Sequence, residues 1–321
     1  MKKIFFLAAL ICITSKSYCW GFFAHKKINY FSVFLLPPEM MILYKPNIDF
    51  ITEHAVDPDK RRYAVTAEGP RHFIDIDHYG KYPFSELPHN YKEAVAKYGE
   101  DTVLANGIVP WHIQVMLGRL TKAFKEKNFS AIMRNSADIG HYIADAHVPL
   151  HASSNHNGQL TDQVGIHAFW ESRVPELLAE KQFDFFIGKA EYIKDPAKFI
   201  WDCVLESGRE ADSVLKIEKE LSLQFPGDKK YSFEERSNHI VVKQYSSDYT
   251  IAYNKKLNGM VERRMRQAIF AVASFWYTAW INAGQPDLSS LVHQNFTADD
   301  LKEFEDLNQK WQEGKIKGRE E

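Results

Sequence analysis

The segment from His141 to His151 concentrates residue types that bind metal ions. His141 and Asp145 are four positions apart, so on a helix both side chains project from one face, one turn apart, as two ligands of a single metal must. Pro149 then disturbs or ends the helix and lets His151 point elsewhere. A lone histidine on an apolar helix face is more often a hydrogen-bonded core residue than a ligand, but this segment holds several candidate ligands.

A second pair with the same spacing, His167 and Glu171, follows in the run Gly-Ile-His-Ala-Phe-Trp-Glu. Taken alone, the pair is also explained by a solvated helix with an aromatic packing face. Two such pairs with His151 between them argue against that interpretation. Together they predict a metal-binding cluster.

Trp20 stands where a signal peptidase would leave a new amino terminus. Residues 1–19 have a basic start, an apolar stretch over residues 4–13 and a polar end with small residues, as export signals do. Cleavage after Cys19 would expose the α-amine of Trp20 near His25, and an amine next to a histidine can bind a metal. An uncleaved membrane anchor is the alternative, but the apolar stretch is about half the length that spans a bilayer. Lipidation of Cys19 is a further alternative.

Composition bounds the class of protein. The whole chain has a formal net charge of −2, and removal of the three lysines in the signal makes the mature chain more negative. It therefore lacks the basic surface of a protein that binds nucleic acid electrostatically. A mature chain of about 300 residues fits one large domain or two small ones. Only Cys203 lies outside the signal, so core packing and bound metal must stabilise the fold without a disulfide. We expect a monomer without a transmembrane anchor in the mature protein.

Apolar spacing predicts an all-α, multi-helical single domain with long loops. The predicted helices are Pro110–His147 with a break near Asn128–Ser130, Pro196–Leu221, and Ser246–Ala283. The expected buried face of the last helix consists of Val261, Met265, Ile269, Val272 and Trp276. Residues 45–90 and 153–165 are predicted to be irregular. The predicted division is a signal peptide over 1–19, one large helical domain over 20–296, and a charged helix and tail over 297–321.

Further segments complete a family pattern. The chain resembles the superfamily that joins bacterial zinc-dependent phospholipases C to fungal and plant zinc-dependent single-strand nucleases. The matching motifs occur in family order between residues 20 and 171. They are Trp20 with His25, Ala55-Val56-Asp57, His72-Phe73-Ile74-Asp75, His141 with Asp145 and His151, and His167 with Glu171.

The resemblance implies an almost all-helical fold with three zinc ions at the bottom of a cleft. One zinc would be held by Asp57, His72, His141 and Asp145, and a second by His151, His167 and Glu171. The third would take the amine and carbonyl of Trp20, His25 and the shared Asp145. Asp59 is an alternative to Asp57, which is also the candidate catalytic residue. Asp75 is assigned to the surroundings of the metals or to substrate binding.

The implied activity is phosphodiester hydrolysis, in which hydroxide formed at zinc attacks phosphorus without a serine or cysteine nucleophile. Glu171 as the last ligand and the absence of disulfides resemble the phospholipase C branch, and the signal peptide predicts export to the periplasm or outside the cell. The motif Asp-Ala-His-Val-Pro-Leu-His equally resembles the nucleases, so single-stranded DNA or RNA is the alternative substrate to phospholipid. A metal-binding protein that kept the scaffold without catalysis is the third possibility.

Overall fold

The computed structural model describes residues 21–236, 240–314 and 316. The predicted signal peptide and Trp20 lie outside these residues. The described chain is mostly helical, which confirms the predicted all-α class. Its α-helices are α1 (Phe22–Val33), α2 (Pro38–Tyr44), α3 (Ile48–Glu53), α4 (Asp57–Arg61), α5 (Tyr91–Tyr98), α6 (Glu100–Ala105), α7 (Val109–Lys125), α8 (Phe129–Ala146), α9 (Ile166–Ala168), α10 (Val174–Gln182), α11 (Pro196–Gln224), α12 (Ser247–Lys256), α13 (Met260–Asn282) and α14 (Ala298–Gln312).

Helices α1, α7, α8 and α13 pack against one another and enclose the core. The predicted apolar face of α13 is fully buried, from Val261 through Trp276. The predicted break between α7 and α8 is also confirmed. It falls where Lys127 takes a positive φ of 49° and the Asn128 side chain caps α8 by accepting a hydrogen bond from the Ala131 backbone.

The prediction of one helix over Ser246–Ala283 was wrong. The chain forms α12 and α13, separated at Asn258 and Gly259, whose φ angles are 51° and 74°. A left-handed conformation at two successive residues cannot continue a right-handed helix, and asparagine and glycine adopt it at the lowest cost. Because the apolar period continues across the break, the spacing of apolar residues alone predicts one uninterrupted helix.

An antiparallel hairpin of β1 (Tyr231–Arg236) and β2 (Ile240–Tyr245) was not predicted. Tyr231 pairs with Tyr245 at its base. Exposure alternates along β1, so that Phe233 is turned to solvent while Glu234 faces the protein. The hairpin follows α11 and precedes α12, which brings Tyr245 onto the segment between α9 and α10.

Residues 45–90 were predicted to be irregular, but they include α3, α4 and several 3₁₀ turns. Directly after the turn Thr66–Arg71, residues 73–75 form neither helix nor strand and are bonded on both sides: Ile74 N donates to His151 O at 2.9 Å, and Val109 N donates to Phe73 O at 3.2 Å. These bonds fix the segment that carries His72 beside the segment that carries His151.

Residues 153–165 have no helix or strand, as predicted, but polar side chains hold them in place. The Asp77 carboxylate accepts hydrogen bonds from the Ser153 hydroxyl at 3.1 Å and from the Ser154 backbone at 2.9 Å. Gln163 donates to Leu215 O at 2.9 Å. The loop that joins the two predicted metal pairs is therefore fixed at both ends.

Helix α14 lies at the surface against α4, with none of its residues buried. Its Trp311 ring lies 5.5 Å from the ring of Phe22 at the start of α1. Among the described residues no helix combines the length and apolarity needed to cross a membrane. Cys203 is a free, buried thiol.

Candidate metal centre

The predicted ligand residues that the structure describes come from separate elements and are all buried. Each has a relative exposure of 6% or less. Their positions are His25 on α1, Asp57 and Asp59 on α4, His72 at the end of the 3₁₀ turn Thr66–Arg71, His141 and Asp145 on α8, His151 on the 3₁₀ turn Pro149–Ala152, His167 on α9, and Glu171 on the π-helix Phe169–Arg173.

The Asp145 carboxylate lies at the centre of the cluster. Its Oδ2 is 3.0 Å from His72 Nδ1 and 3.2 Å from His141 Nε2. Its Oδ1 faces the other side, 3.5 Å from His25 Nε2 and 3.8 Å from His151 Nδ1. The two oxygens of one carboxylate therefore face different sets of histidines, as a carboxylate shared by neighbouring metal ions does.

Two candidate groups meet at His141. One combines His25, His141 and Asp145, and the other combines Asp59, His72 and His141. His141 Nε2 lies 3.1 Å from His72 Nδ1 and 3.6 Å from Asp59 Oδ1. In each group the ligand atoms are within 4.8 Å of one another, so each could hold a metal ion.

The structure places Asp59 in the cluster and turns Asp57 away from it. Asp57 Oδ2 lies 2.6 Å from His54 Nδ1, and its Oδ1 accepts a hydrogen bond from Lys60 at 3.2 Å. Burial raises the Asp57 pKa, but the hydrogen bonds and charges of His54 and Lys60 outweigh it and hold that pKa below its usual value. Of the two alternatives from the sequence, the geometry favours Asp59 as ligand.

The third group consists of His151, His167 and Glu171. Glu171 Oε2 lies 2.9 Å from His167 Nε2 and 3.5 Å from His151 Nε2. Glu171 is the central residue of a π-helix, a rare form that is frequent at functional sites. The spacing of the pair was predicted, and the π-helical turn was not.

Several atoms in these groups fit a metal ion better than any bond within the described chain. Both oxygens of Asp59, both oxygens of Glu171 and both ring nitrogens of His167 are buried without a hydrogen bond to the described residues. A buried carboxylate without hydrogen bonds is costly, and a bound cation removes that cost. The donor set of imidazole nitrogen and carboxylate oxygen suits zinc.

The remaining nitrogens of three histidines are held by neighbouring groups. His141 Nδ1 bonds to Ala55 O at 2.9 Å, and His151 Nδ1 bonds to His72 O at 2.7 Å. His72 Nε2 lies 3.7 Å from Glu68 Oε1. Such contacts orient metal-binding imidazoles and fix which nitrogen faces the metal.

Glu68 was not predicted, although it precedes His72 by four residues. It is fully buried and accepts hydrogen bonds from Arg71 at 2.6 Å and from the Tyr142 hydroxyl. Burial raises its pKa, but the His72 and Arg61 groups outweigh burial and lower it. Glu68 is therefore ionised beside His72, as the outer partner of a metal ligand would be.

Burial and neighbouring charges set the protonation of the metal-free site. Burial lowers the His72 pKa, but Asp145 and Glu68 outweigh it and raise that pKa to about 9. Burial and the nearby His141 lower the pKa of His25 well below its usual value. Burial raises the Asp145 pKa, but the surrounding histidines lower it strongly. His72 must therefore release a proton when a metal binds.

Helices α1 and α8 approach closely beside the metal ligands. A Cβ added at Gly140 would overlap the Asn29 side-chain amide. The same amide donates to Ile51 O and to Ala137 O, each at 3.2 Å. This approach lets the His25 ring stack on the ring of His141 with centroids 3.9 Å apart.

Two other predicted positions lie outside the groups. The His147 ring is buried and bonds to Ile143 O at 2.7 Å, so it is turned away from Asp145. Asp75 is buried near Tyr79. Burial first, then the Asp75 charge, raises the Tyr79 pKa to about 12. The amine of Trp20 remains a prediction because that residue lies outside the described chain.

Comparison of the chain with models of known protein families and with curated proteins gave no match in either case.

Proposed function

We propose that this protein is a zinc-dependent phosphodiester hydrolase of the phospholipase C and single-strand nuclease superfamily. The observation that carries the proposal is the position of Asp145, whose Oδ2 faces His72 and His141 while its Oδ1 faces His25. A single buried ion pair needs no such arrangement. A cluster of metal ions does.

Three zinc ions are proposed. Asp59, His72, His141 and Asp145 would hold the first, and His151, His167 and Glu171 the second. His25 and Asp145, with the amine and carbonyl of Trp20, would hold the third. When bound, zinc lowers the pKa of water towards about 7 and stabilises negative charge on phosphate oxygens.

The described residues would position the metal ligands. Asp145 holds the groups together, and Glu68 and the backbone carbonyls of Ala55 and His72 orient three imidazoles. Cys203, the free thiol among the described residues, does not compete as a nucleophile, because burial raises its pKa to about 12. Hydrolysis by activated water is the chemistry that such a site supports.

A phospholipid is the substrate we propose, on the basis of Glu171 as the last ligand and the lack of disulfides. The sequence around His147 and Pro149 supports single-stranded nucleic acid as the second candidate. We further propose export, with Trp20 as the first residue of the mature protein.

One experiment tests the activity and separates the substrates. The purified zinc-loaded protein is assayed in parallel on phosphatidylcholine and single-stranded DNA, with Asp145→Asn as a matched control. We expect hydrolysis of phosphatidylcholine that is lost with a chelator and restored by zinc. Cleavage of DNA alone would instead support a nuclease. Full zinc content without hydrolysis of either substrate would support a metal-binding protein without catalysis.

A further inference from the structure

Tyr245 of β2 contacts both ends of the π-helix that carries Glu171. Its ring stacks on the Phe169 ring with centroids 3.8 Å apart and planes at 20°. Its backbone carbonyl accepts a hydrogen bond from Arg173 Nε at 3.0 Å. Phe169 and Arg173 are the first and last residues of the π-helix, so Glu171 lies midway between two points that Tyr245 holds.

Arg173 also binds the other strand of the hairpin. Its two terminal nitrogens donate to the Glu234 carboxylate of β1 at 3.2 Å and 2.6 Å. The planar guanidinium matches a carboxylate with two parallel bonds, and the Arg173 side chain is only 12% exposed. One side chain therefore joins the π-helix to both strands.

The base of the hairpin is fixed in turn. Lys230, which precedes β1, donates to the buried Glu218 carboxylate at 2.9 Å and to the Ser222 hydroxyl at 2.8 Å. Tyr249 donates to the same carboxylate at 2.7 Å and stacks on Tyr245 with ring centroids 5.6 Å apart. The hairpin is thus anchored on α11 and α12, independently of the metal ligands.

A π-helical turn is rare and depends on surrounding contacts, because its hydrogen bonds join residues five positions apart instead of the four of an α-helix. His167 lies in the α-helical turn before it, and Glu171 lies within it. The widened turn therefore sets where the Glu171 carboxylate lies relative to His167 and His151.

We propose that the β1–β2 hairpin is the positioning element of the second metal site: through Tyr245 and the Arg173–Glu234 pair it holds the π-helix that aims Glu171 at His151 and His167. The inference rests on the metal centre of the proposed function, but it does not depend on the substrate or on catalysis. The Glu171 oxygens and the His167 ring nitrogens accept or donate no hydrogen bond within the described residues, so Arg173 and Glu234 would act on them through the π-helix.

The test compares metal binding by Arg173→Met and Glu234→Gln with that of the unaltered protein. Each chelated protein is titrated with Co²⁺, and binding is followed by visible absorption and by the metal-to-protein ratio. We expect one ion to bind about 10- to 100-fold more weakly in both variants, the range measured when an outer partner of a ligand is removed. The absorption of that ion should also change, and the double variant should resemble Arg173→Met because both changes break one pair.

Arg263→Met is the matched control. Like Arg173, Arg263 links two elements through its guanidinium, but it donates to Glu206 at 2.7 Å and to Glu210 at 2.6 Å and so joins α13 to α11 instead of the π-helix to the hairpin. Unaltered Co²⁺ binding and absorption are expected for it.

Wild-type affinity and absorption in both Arg173→Met and Glu234→Gln would overturn the inference. If Arg173→Met unfolds and loses all ions together, Glu234→Gln decides, since it preserves the side-chain shape. Wild-type Co²⁺ binding in that variant would also overturn it. Failure of the unaltered protein to bind Co²⁺ would refute the metal centre itself, whatever the hairpin does.

Discussion

Asp57 and Asp59 are separated by one residue on α4, yet replacing each by asparagine should have opposite effects on the metal-free protein. Asp57 is bonded to His54 and Lys60, whereas Asp59 is buried without a hydrogen bond to the described residues. Burial raises the Asp59 pKa from 3.8 to about 6, although His141 and His72 oppose it.

The sign of the Asp59 effect follows from that pKa. Between pH 3.8 and about 6 the folded metal-free protein keeps a proton on Asp59 that the unfolded chain has lost, so stability falls as pH rises through this range. One pKa unit is worth about 1.4 kcal/mol, so ionised Asp59 costs about 3 kcal/mol at pH 7. Asp59→Asn should therefore stabilise the metal-free protein by up to about 3 kcal/mol, or on the order of 5–10 °C in Tm.

With zinc bound, the effect of Asp59→Asn on stability should reverse and become destabilising, whereas the effect of Asp57→Asn should stay the same. Loss of a ligand should weaken zinc binding by more than the roughly 10- to 100-fold that loss of an outer partner costs. Asp57→Asn removes a buried acceptor of two bonds and should cost about 1–3 kcal/mol with or without zinc.

The assay is thermal and urea unfolding of both variants, chelated and zinc-loaded, at pH 5 and pH 7. The reasoning fails if Asp59→Asn destabilises the chelated protein as Asp57→Asn does. It also fails if Asp59→Asn binds zinc with unaltered affinity, because a ligand cannot be removed without effect.

Three further predictions concern the same centre, and one concerns a buried histidine outside it. His141→Ala or Asp145→Asn should abolish most activity and lower the zinc content. His147→Ala should keep both, because the His147 ring is turned to Ile143 O. Equal zinc content in all three proteins would contradict the ligand assignment. Chelation should destabilise the fold by about 4 kcal/mol relative to zinc at a thousandfold excess over its Kd, measured as Tm in calorimetry. Outside the centre, the His112 ring on α7 packs edge-on against the Tyr142 ring with centroids 4.6 Å apart, and burial lowers the His112 pKa to about 3. As the pH falls from about 6.5 towards 3, only the unfolded chain takes up a proton at His112, so the free energy of unfolding should fall. His112→Gln should make the free energy of unfolding in urea less dependent on pH across that range. Intact mass of the exported protein should place its amino terminus at Trp20, and any residue retained before it would remove the amine ligand.

Local spacing predicted much of the helical fold and of the site. The i, i+4 spacing of His141 with Asp145 on α8, and of His167 on α9 with Glu171 on the following π-helix, predicts from helix geometry alone that each pair shares a face. The buried face of α13 was found in the same way. These features are set by residues close in the chain.

The features that were missed depend on contacts between distant segments. Whether Asp57 or Asp59 faces His141 is decided by how α4 packs on α8, and the sequence left both open. Glu68 and the π-helix at Glu171 depend in the same way on Arg71, Tyr142 and the hairpin. The residue types at Asn258 and Gly259 favour a break between helices. The apolar period continues across them, however, and the sequence therefore predicted one helix.

The contact between Asn29 and Gly140 limits how this protein can be engineered for heat resistance. Replacing a helical glycine by alanine usually gains about 0.5–1 kcal/mol, because the unfolded chain loses freedom. Gly118 on α7 has open space around its Cβ position and is suited to that exchange, whereas at Gly140 the new methyl group would meet Asn29. Separation of the helices there would pull the His25 ring from His141, so the spacing that brings these two candidate ligands together also excludes the simplest stabilising substitution.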